Sequence, residues 1–408
     1  MVVAATRRRA QYGRIHACAP RPDRVSGTWL HGGRIVTPTG VVDGGVLIDG
    51  DSIVGVVDAG GPTPGVFDEI VDLAGAVVLP GFIDLHVHGG GGATFDDGAE
   101  AIATGLATHR AQGTTRSLVS LVTASADEMV TAIGAAAGYA GGDPSVLGLH
   151  LEGPFLSPQR RGVHDPRSLR TPDPALLDRL IEAGNGTVRV VTVAPELPGG
   201  LDLIRQLGRA GIVAAVGHSD AGYEVALQAF RAGAGLVTHA FNGMRPLHHR
   251  DPGIIGAAMT AGVVLEAIND GVHLQDATVA LLHAIAPGRL ALVTDAMGAT
   301  CAADGSYRLG AFDVEVRDGQ ARLADGTIAG STLTMAVAVR RAVRDVGLGL
   351  VEAVNAASLV PATVLGVADR FGSIRPGRAA DLVVTDSDLQ VTGVLAGGRW
   401  VRKPRADG

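Results

Sequence analysis

Residues 77–88 read VVLPGFIDLHVH, a run of apolar residues that ends in two histidines spaced by one residue. Seven more apolar runs follow, each separated from the next by turn residues and a helix-like stretch: 115–123, 146–153, 188–195, 212–219, 236–243, 263–271 and 290–298. Nearly continuous apolar runs are typical of parallel strands that helices cover from outside. Eight alternating strand and helix units therefore predict an α/β fold, a (β/α)8 barrel of the TIM type.

A doubly wound sheet is the competing fold for such an alternation. It would need a nucleotide-binding GxGxxG turn directly after the first strand. The residues in that place, 88–92, read HGGGG and do not supply the pattern. The barrel is therefore the favoured fold.

The two flanks of the barrel have a different pattern, with short alternating runs and glycine turns. This pattern is typical of antiparallel strands and hairpins. We expect residues 29–79 and 366–403 to form one small β-sandwich domain from both chain ends, beside a catalytic barrel over residues 80–365. Residues 305–331 predict a hairpin inserted before the last helix. Residues 1–28 hold six arginines against one aspartate, and we expect a disordered basic leader there.

Charge and composition exclude several classes of function. The whole chain has a net charge of −7 in spite of its basic start, so the remainder lacks the basic surface of a nucleic-acid-binding protein. No apolar run is long enough to span a bilayer, which argues against a membrane partner. Two cysteines, Cys18 and Cys301, allow neither a disulfide framework nor a cysteine metal site, and we expect a cytoplasmic location.

The ends of the predicted strands carry residues that commonly bind metals. In a barrel, catalytic groups lie at the carboxyl ends of the strands. The residues in question end strands one, three, five, six and eight: His86, His88, Glu152, His218, His239 and Asp295. Histidine and carboxylate ligands without cysteine suit zinc, with iron, manganese or cobalt as other possibilities, at one or two ions per subunit. Such an ion generates hydroxide at neutral pH, and Asp295 can accept and deliver the proton.

This arrangement resembles the amidohydrolase superfamily, which has HxH after strand one, histidines after strands five and six, and aspartate after strand eight. In many members of that superfamily a carboxylated lysine bridges two metals. The single lysine of this chain, Lys403, lies in the tail. The resemblance therefore implies a glutamate bridge, for which Glu152 is the candidate.

Longer motifs resemble the N-acetylglucosamine-6-phosphate deacetylase family within that superfamily. They are PGFIDLHVHG (80–89), HLEGPF (150–155), RRGVH (160–164), VGHSDA (216–221), THAFNGM (238–244), NDGVH (269–273), LVTDAM (292–297) and AGSTLTM (329–335). The resemblance implies hydrolysis of N-acetyl-D-glucosamine 6-phosphate to D-glucosamine 6-phosphate and acetate. A deacetylase of the galactosamine epimer, another amidohydrolase such as a deaminase, and a non-catalytic barrel scaffold stay open as alternatives.

The resemblance also assigns roles residue by residue. Glu152, His218 and His239 would form the principal metal site, and His86 and His88 a second site that shares Glu152. Asp295 would be the general base and acid, and His164 would reach the acetyl carbonyl. The substrate would be held by Val163, His164, Asn242, Gly243, Arg250, Asp270, His273, Ile328, Ala329 and Gly330. A homodimer is implied, in which the neighbouring subunit supplies part of the phosphate contacts.

Overall fold

The computed structural model describes residues 25–61, 65 and 67–404. Residues 1–24 of the expected leader lie outside the described residues. The first strand already begins at Val25, within the segment assigned to the leader. The chain opens with β1 (Val25–Thr37), β2 (Gly40–Asp49), β3 (Ser52–Asp58), β4 (Phe67–Asp72) and β5 (Val77–Pro80).

The strands that follow β5 build the barrel and its rim. They are β6 (Phe82–Asp84), β7 (Gly89–Gly90), β8 (Ala93–Thr94), β9 (Thr114–Val122), β10 (Val146–Glu152), β11 (Val188–Val193), β12 (Val213–Val216), β13 (Leu236–Val237), β14 (Val264–Ile268) and β15 (Leu290–Val293). The last strands are β16 (Gly305–Leu309), β17 (Phe312–Arg317), β18 (Gln320–Arg322), β19 (Leu382–Thr385), β20 (Val391–Ala396) and β21 (Arg399–Arg402).

Helices alternate with the barrel strands along the chain. They are α1 (Ala99–Ala111), α2 (Ala126–Ala140), α3 (Pro174–Ala183), α4 (Gly200–Arg209), α5 (Tyr223–Arg231), α6 (Gly253–Ala261), α7 (Asp276–Ile285), α8 (Met335–Arg344), α9 (Leu350–Ala356) and α10 (Leu359–Val364). Most of these helices bury one face against the strands, in a large apolar cluster that includes Ile133, Leu180, Leu207 and Val339. Within the described residues no helix combines the length and apolar character needed to cross a membrane.

A closed parallel barrel confirms the predicted fold class. Strands β6, β9, β10, β11, β12, β13, β14 and β15 form one parallel sheet in this order. Its two edges meet where Val87 pairs with Ala296 and the backbone N–H of Asp295 donates to the carbonyl of His86 at 2.8 Å. Each predicted apolar run overlaps one barrel strand. Strands β12 and β13 stop well before the ends of their runs, because the chain turns out of the sheet there.

Both chain ends contribute to a second sheet, in the order β21-β20-β19-β5-β1-β2-β3, with β4 beside β1. The chain passes from this terminal sheet into the barrel at Gly81, between β5 and β6. A buried ion pair connects the two parts: Arg116 on β9 donates to both carboxylate oxygens of Asp381, at 2.7 and 3.0 Å. Strands β16, β17 and β18 form a separate antiparallel sheet within residues 305–331, where a hairpin was expected.

Candidate active site

The ligand-type residues predicted from the sequence lie together at the carboxyl ends of the barrel strands. Glu152 is the last residue of β10, and the others lie just beyond their strands. Three of them have backbone φ angles in the left-handed region: His218 at 45°, His239 at 26° and Asp295 at 49°. Side-chain-bearing residues adopt this region at a cost of ~1–2 kcal/mol, and such strain is concentrated at functional sites.

The first group consists of Glu152, His218 and His239, all of them buried. The Nε2 atoms of both histidines lie 3.0 Å from Glu152 Oε1. These two nitrogens are also 3.0 Å from each other. Three ligand atoms therefore converge on one small volume.

The second group consists of His86, His88 and Asp295. The Nε2 atoms of the two histidines are 3.0 Å apart and lie 3.5 and 3.4 Å from Asp295 Oδ1. His88 Nε2 is also 3.3 Å from Glu152 Oε2. Glu152 thus contacts both groups: Oε1 faces His218 and His239 and lies 3.5 Å from His86 Nε2, and Oε2 faces His88.

The chemistry of these groups fits a divalent metal ion. His218 Nδ1 lies 2.8 Å from the carbonyl of Arg160, which can only accept, so Nδ1 carries a hydrogen. In the neutral ring Nε2 then presents a lone pair to the other ligand atoms. This lone pair points at the volume that His239 Nε2 and Glu152 Oε1 also border, where a cation could accept it. A donor set of imidazoles and carboxylates is typical of zinc and similar ions.

The pKa values of His88 and Asp295 in the metal-free site are shifted by their contacts with each other and with neighbouring ligands. Burial lowers the pKa of His88, but hydrogen bonds with Asp295 and Glu152 outweigh it and raise the pKa to about 9. Burial likewise opposes the ionisation of Asp295, yet the charges of His86 and His88 hold its pKa well below the usual range. Asp295 is therefore paired with protonated imidazoles of His86 and His88, whose protons a metal ion would displace.

A layer of polar side chains lies inside the barrel below these groups. Asp84 is fully buried and accepts hydrogen bonds from the Thr294 hydroxyl at 2.5 Å and from the backbone N–H of His86 at 3.2 Å. Burial raises the pKa of Asp84 to about 7. His150 contacts the hydroxyls of Ser120 and Thr192 at 3.0 and 2.9 Å, so it belongs to the barrel interior.

A cavity of about 220 Å³ opens above the ligands. Several predicted substrate-binding residues line it: Val163, His164, Asn242, Gly243, His273, Ile328 and Gly330. Asp295 and the ligands His88, Glu152, His218 and His239 form its floor. Three further residues line the cavity without having been predicted: Gly162, Leu309 and Thr327. Leu309 reaches the cavity from the inserted sheet, and no local motif marks it.

The remaining predicted residues do not line the cavity. His86 is fully buried below it, and Ala329 is buried with its N–H bonded to the Ala321 carbonyl. Asp270 stands behind His273, with its Oδ2 atom 2.7 Å from His273 Nδ1. Arg250 lies on an exposed loop, where its Nη1 is 2.7 Å from His249 Nε2.

Known proteins resemble this chain over most of its length. The family model described as "Amidohydrolase family" matches residues 77–401. The N-acetylgalactosamine-6-phosphate deacetylase of Escherichia coli O157:H7 is 37% identical over 375 residues, covering 91% of this chain and 98% of that protein. The N-acetylglucosamine-6-phosphate deacetylase of Bacillus subtilis strain 168 is 36% identical over 367 residues, covering 88% and 92%.

A solved structure agrees in fold as well as in sequence. It is a mutant of the N-acetyl-D-glucosamine-6-phosphate deacetylase of Mycobacterium smegmatis in complex with N-acetyl-D-glucosamine 6-phosphate. It superimposes with a TM-score of 0.88 at 41% sequence identity. The match covers 93% of this chain and all of that one.

The metal site makes a first prediction. His218→Ala and His239→Ala should each lower the affinity for a divalent ion by a hundredfold or more, because each removes a ligand that points at the shared volume. The measurement is metal content by mass spectrometry, with zinc titration of the metal-free protein. His283→Ala, on α7 and away from the site, is the matched control. Unchanged zinc affinity in the first two variants would contradict the site.

Proposed function

Because the chain belongs to the amidohydrolase family, we propose that it hydrolyses the N-acetyl group of an amino-sugar 6-phosphate. The substrate we favour is N-acetyl-D-glucosamine 6-phosphate, which yields D-glucosamine 6-phosphate and acetate. The observation that carries the proposal is the convergence of four imidazoles, Glu152 and Asp295 at and just below the floor of one small cavity. The relatives that bear deacetylase names support it, since they match this chain over most of their length.

Glu152, His218 and His239 would hold one divalent ion, and His86, His88 and Asp295 a second. Zinc is the ion we favour for these ligands, and iron, manganese and cobalt share the same preference for imidazole and carboxylate. A bound ion supplies hydroxide at neutral pH and polarises the carbonyl of the amide. The protein's contribution is to orient the substrate and to move the protons.

Asp295 is the residue that we assign to proton transfer. Its carboxylate is ionised at neutral pH, since His86 and His88 hold its pKa low, so it can accept the proton of the attacking water. A carbon–oxygen bond forms at the acetyl carbonyl, and the carbon–nitrogen bond then breaks. Asp295 returns the proton to the departing nitrogen, which leaves as the free amine.

His164 is placed to hold the acetyl carbonyl. It lines the cavity, and its Nε2 lies 3.5 Å from Glu152 Oε2. Burial lowers the pKa of His164 to about 4, so its ring is neutral at pH 7 and has one N–H to donate. A donor aimed at the oxygen that gains negative charge in the transition state accelerates acyl transfer.

The sugar phosphate would be held by the residues on the loops around the cavity. Asn242, Gly243, Ile328 and Gly330 line it on two sides. Asp270 orients the ring of His273 through the contact with Nδ1, and it accepts the backbone N–H of His273 at 2.8 Å. These contacts hold the other ring nitrogen of His273 available for the substrate.

In a homodimer, Arg250 would contact the phosphate group of a substrate that is bound in the neighbouring subunit. It does not line the cavity of its own chain, and its loop is exposed. The loop also carries Leu247, which is 41% exposed, and the adjacent helix α6 carries Met259, which is 49% exposed. An arginine suits this role because its planar guanidinium can contact a phosphate through two N–H groups.

A second candidate substrate is the galactosamine epimer, N-acetylgalactosamine 6-phosphate, which one of the relatives is named for. The two sugars differ in the orientation of one hydroxyl group. A scaffold without catalysis is disfavoured, because every ligand position is filled. The cytoplasmic location stays a prediction.

The proposed substrate is tested by acetate release from three compounds. We expect turnover of the 6-phosphates of N-acetylglucosamine and N-acetylgalactosamine, with the first preferred, and turnover of unphosphorylated N-acetylglucosamine lower by a hundredfold or more. The physical reason is the loss of the charge-assisted contacts to phosphate. Equal rates with and without phosphate would contradict the phosphate site. No acetate from any of the three, in protein loaded with zinc, would contradict the deacetylase itself.

Asp295→Asn tests the proton-transfer role. The variant should lose about a thousandfold or more in turnover, because an amide cannot accept the proton. Its zinc content should stay at one ion or more per subunit, since Glu152, His218 and His239 are intact. Asp178→Asn, on the exposed face of α3, is the control. An Asp295→Asn variant with turnover within tenfold of the wild type would rule this mechanism out.

A mixing experiment tests the role of Arg250 across the dimer. Arg250→Ala and Asp295→Asn chains, each nearly inactive alone, are coexpressed with different affinity tags, and dimers that carry both tags are isolated. We expect activity in these mixed dimers, because the Arg250→Ala chain keeps Asp295 and receives the arginine of its partner. Inactive mixed dimers would show that Arg250 does not act in the neighbouring site.

A further inference from the structure

Glu266 is a buried acidic residue that the proposed mechanism does not use. It lies on β14, points into the barrel below the metal ligands and is 1% exposed. A carboxylate is almost never buried to this extent unless other groups compensate for the loss of water. The partners of Glu266 therefore indicate why it is there.

One oxygen of Glu266 contacts a histidine from each group of ligands. Glu266 Oε2 lies 3.1 Å from the backbone nitrogen of His239 and 3.4 Å from His86 Nδ1. A backbone N–H can only donate, so Oε2 is an acceptor. With a carboxylate at this position, His86 Nδ1 carries the hydrogen of the ring. When a metal ion displaces the other ring proton, His86 Nε2 presents its lone pair towards the volume between His88, Glu152 and Asp295.

The two histidines of the second group differ in their support. His86 has Glu266 behind it, whereas His88 Nδ1 is buried without a hydrogen-bond partner among the described residues. Of this pair, His86 is the histidine whose ring a carboxylate orients from behind. Carboxylates that accept a hydrogen bond from a ligand histidine fix its ring and increase its basicity.

The charge of Glu266 acts in the same direction. Glu152 and Asp295 are the carboxylates that contact the ligand volume directly, and Glu266 adds a third just below them. Two divalent ions carry four positive charges, so each added carboxylate favours occupancy by two ions over occupancy by one. Four neutral imidazoles alone would leave this charge uncompensated in a buried site.

We propose that Glu266 is a positioning residue that enables the chain to bind a second divalent ion at His86, His88 and Asp295. This rests on the proposed function, in which the site holds metal. Glu266 orients His86 through the side chain, and it contacts His239 only through the backbone. Loss of the Glu266 side chain therefore lowers the affinity for the second ion more than the affinity for the first.

The experiment compares Glu266→Gln and Glu266→Leu with the wild type. Each metal-free protein is titrated with zinc in a calorimeter, and its metal content is then measured by mass spectrometry. Glutamine can retain an acceptor oxygen but removes the charge, and leucine removes both. The control is Thr192→Val, which changes a buried side chain of the same barrel layer that bonds His150 and Thr238 and contacts no ligand.

We expect the wild type and Thr192→Val to bind two ions per subunit. Glu266→Gln should lower the affinity for the second ion by about 10–100-fold, and Glu266→Leu should lower it at least as much. Thermal unfolding of the metal-free proteins shows whether each variant is folded. If Glu266→Leu does not fold, Glu266→Gln decides the outcome.

The possible failures are distinguishable. A wild type that binds no zinc would overturn the proposed metal-dependent function. A wild type that binds two ions, together with Glu266 variants that bind both with unchanged affinity, would overturn the role of Glu266 alone. An equal loss in Thr192→Val would also overturn it, because any disturbance of the barrel interior would then suffice.

Discussion

The rest of the site depends on the side chain of Glu152, because its two oxygens join two groups of ligands. Oε1 meets His218 and His239, and Oε2 meets His88. Burial acts to raise the pKa of this carboxyl group, but attraction to His86 and hydrogen bonds with His164 and His218 outweigh burial and hold the pKa well below the usual range. A buried charge of this kind is stable only when its partners are held in place. The surrounding barrel does this.

The barrel holds the ligands in place through the turns that follow its strands. Gly243 lies at φ +58°, and a Cβ atom there would be 2.9 Å from His218 Nδ1. Gly330 lies at φ +65°, where a Cβ atom would be 2.9 Å from the carbonyl oxygen of Asp295. A side chain at either position would collide with His218 or Asp295 and displace it from the site. The close approach of these glycines thus helps to hold His218 and Asp295 in their left-handed backbone conformations.

The barrel and the clustering of the ligand-type residues at its rim could be predicted from the sequence because each signal is local. An apolar run marks a strand, and a histidine or carboxylate at its end marks the rim. Asp84 and Glu266 were missed because each lies within an apolar strand, where the sequence does not show which residue it will face. The Asp84 partner, Thr294, is distant in sequence and becomes a neighbour only when the barrel closes. Leu309 was also missed because it is distant in sequence from the other cavity residues. It becomes their neighbour only when the inserted sheet folds over the cavity.

Chemistry and substrate choice depend on different parts of the molecule. The groups that we propose to act on the amide lie at strand ends, where the barrel fixes the backbone of each of them. The residues that would recognise sugar and phosphate lie on loops, among them Asn242, His273 and Ile328. Loops can change without altering the strands that hold the metal ligands. Relatives named for two epimeric sugars are therefore compatible with one hydrolytic site, and the hydroxyl that separates the epimers must be recognised by these loops.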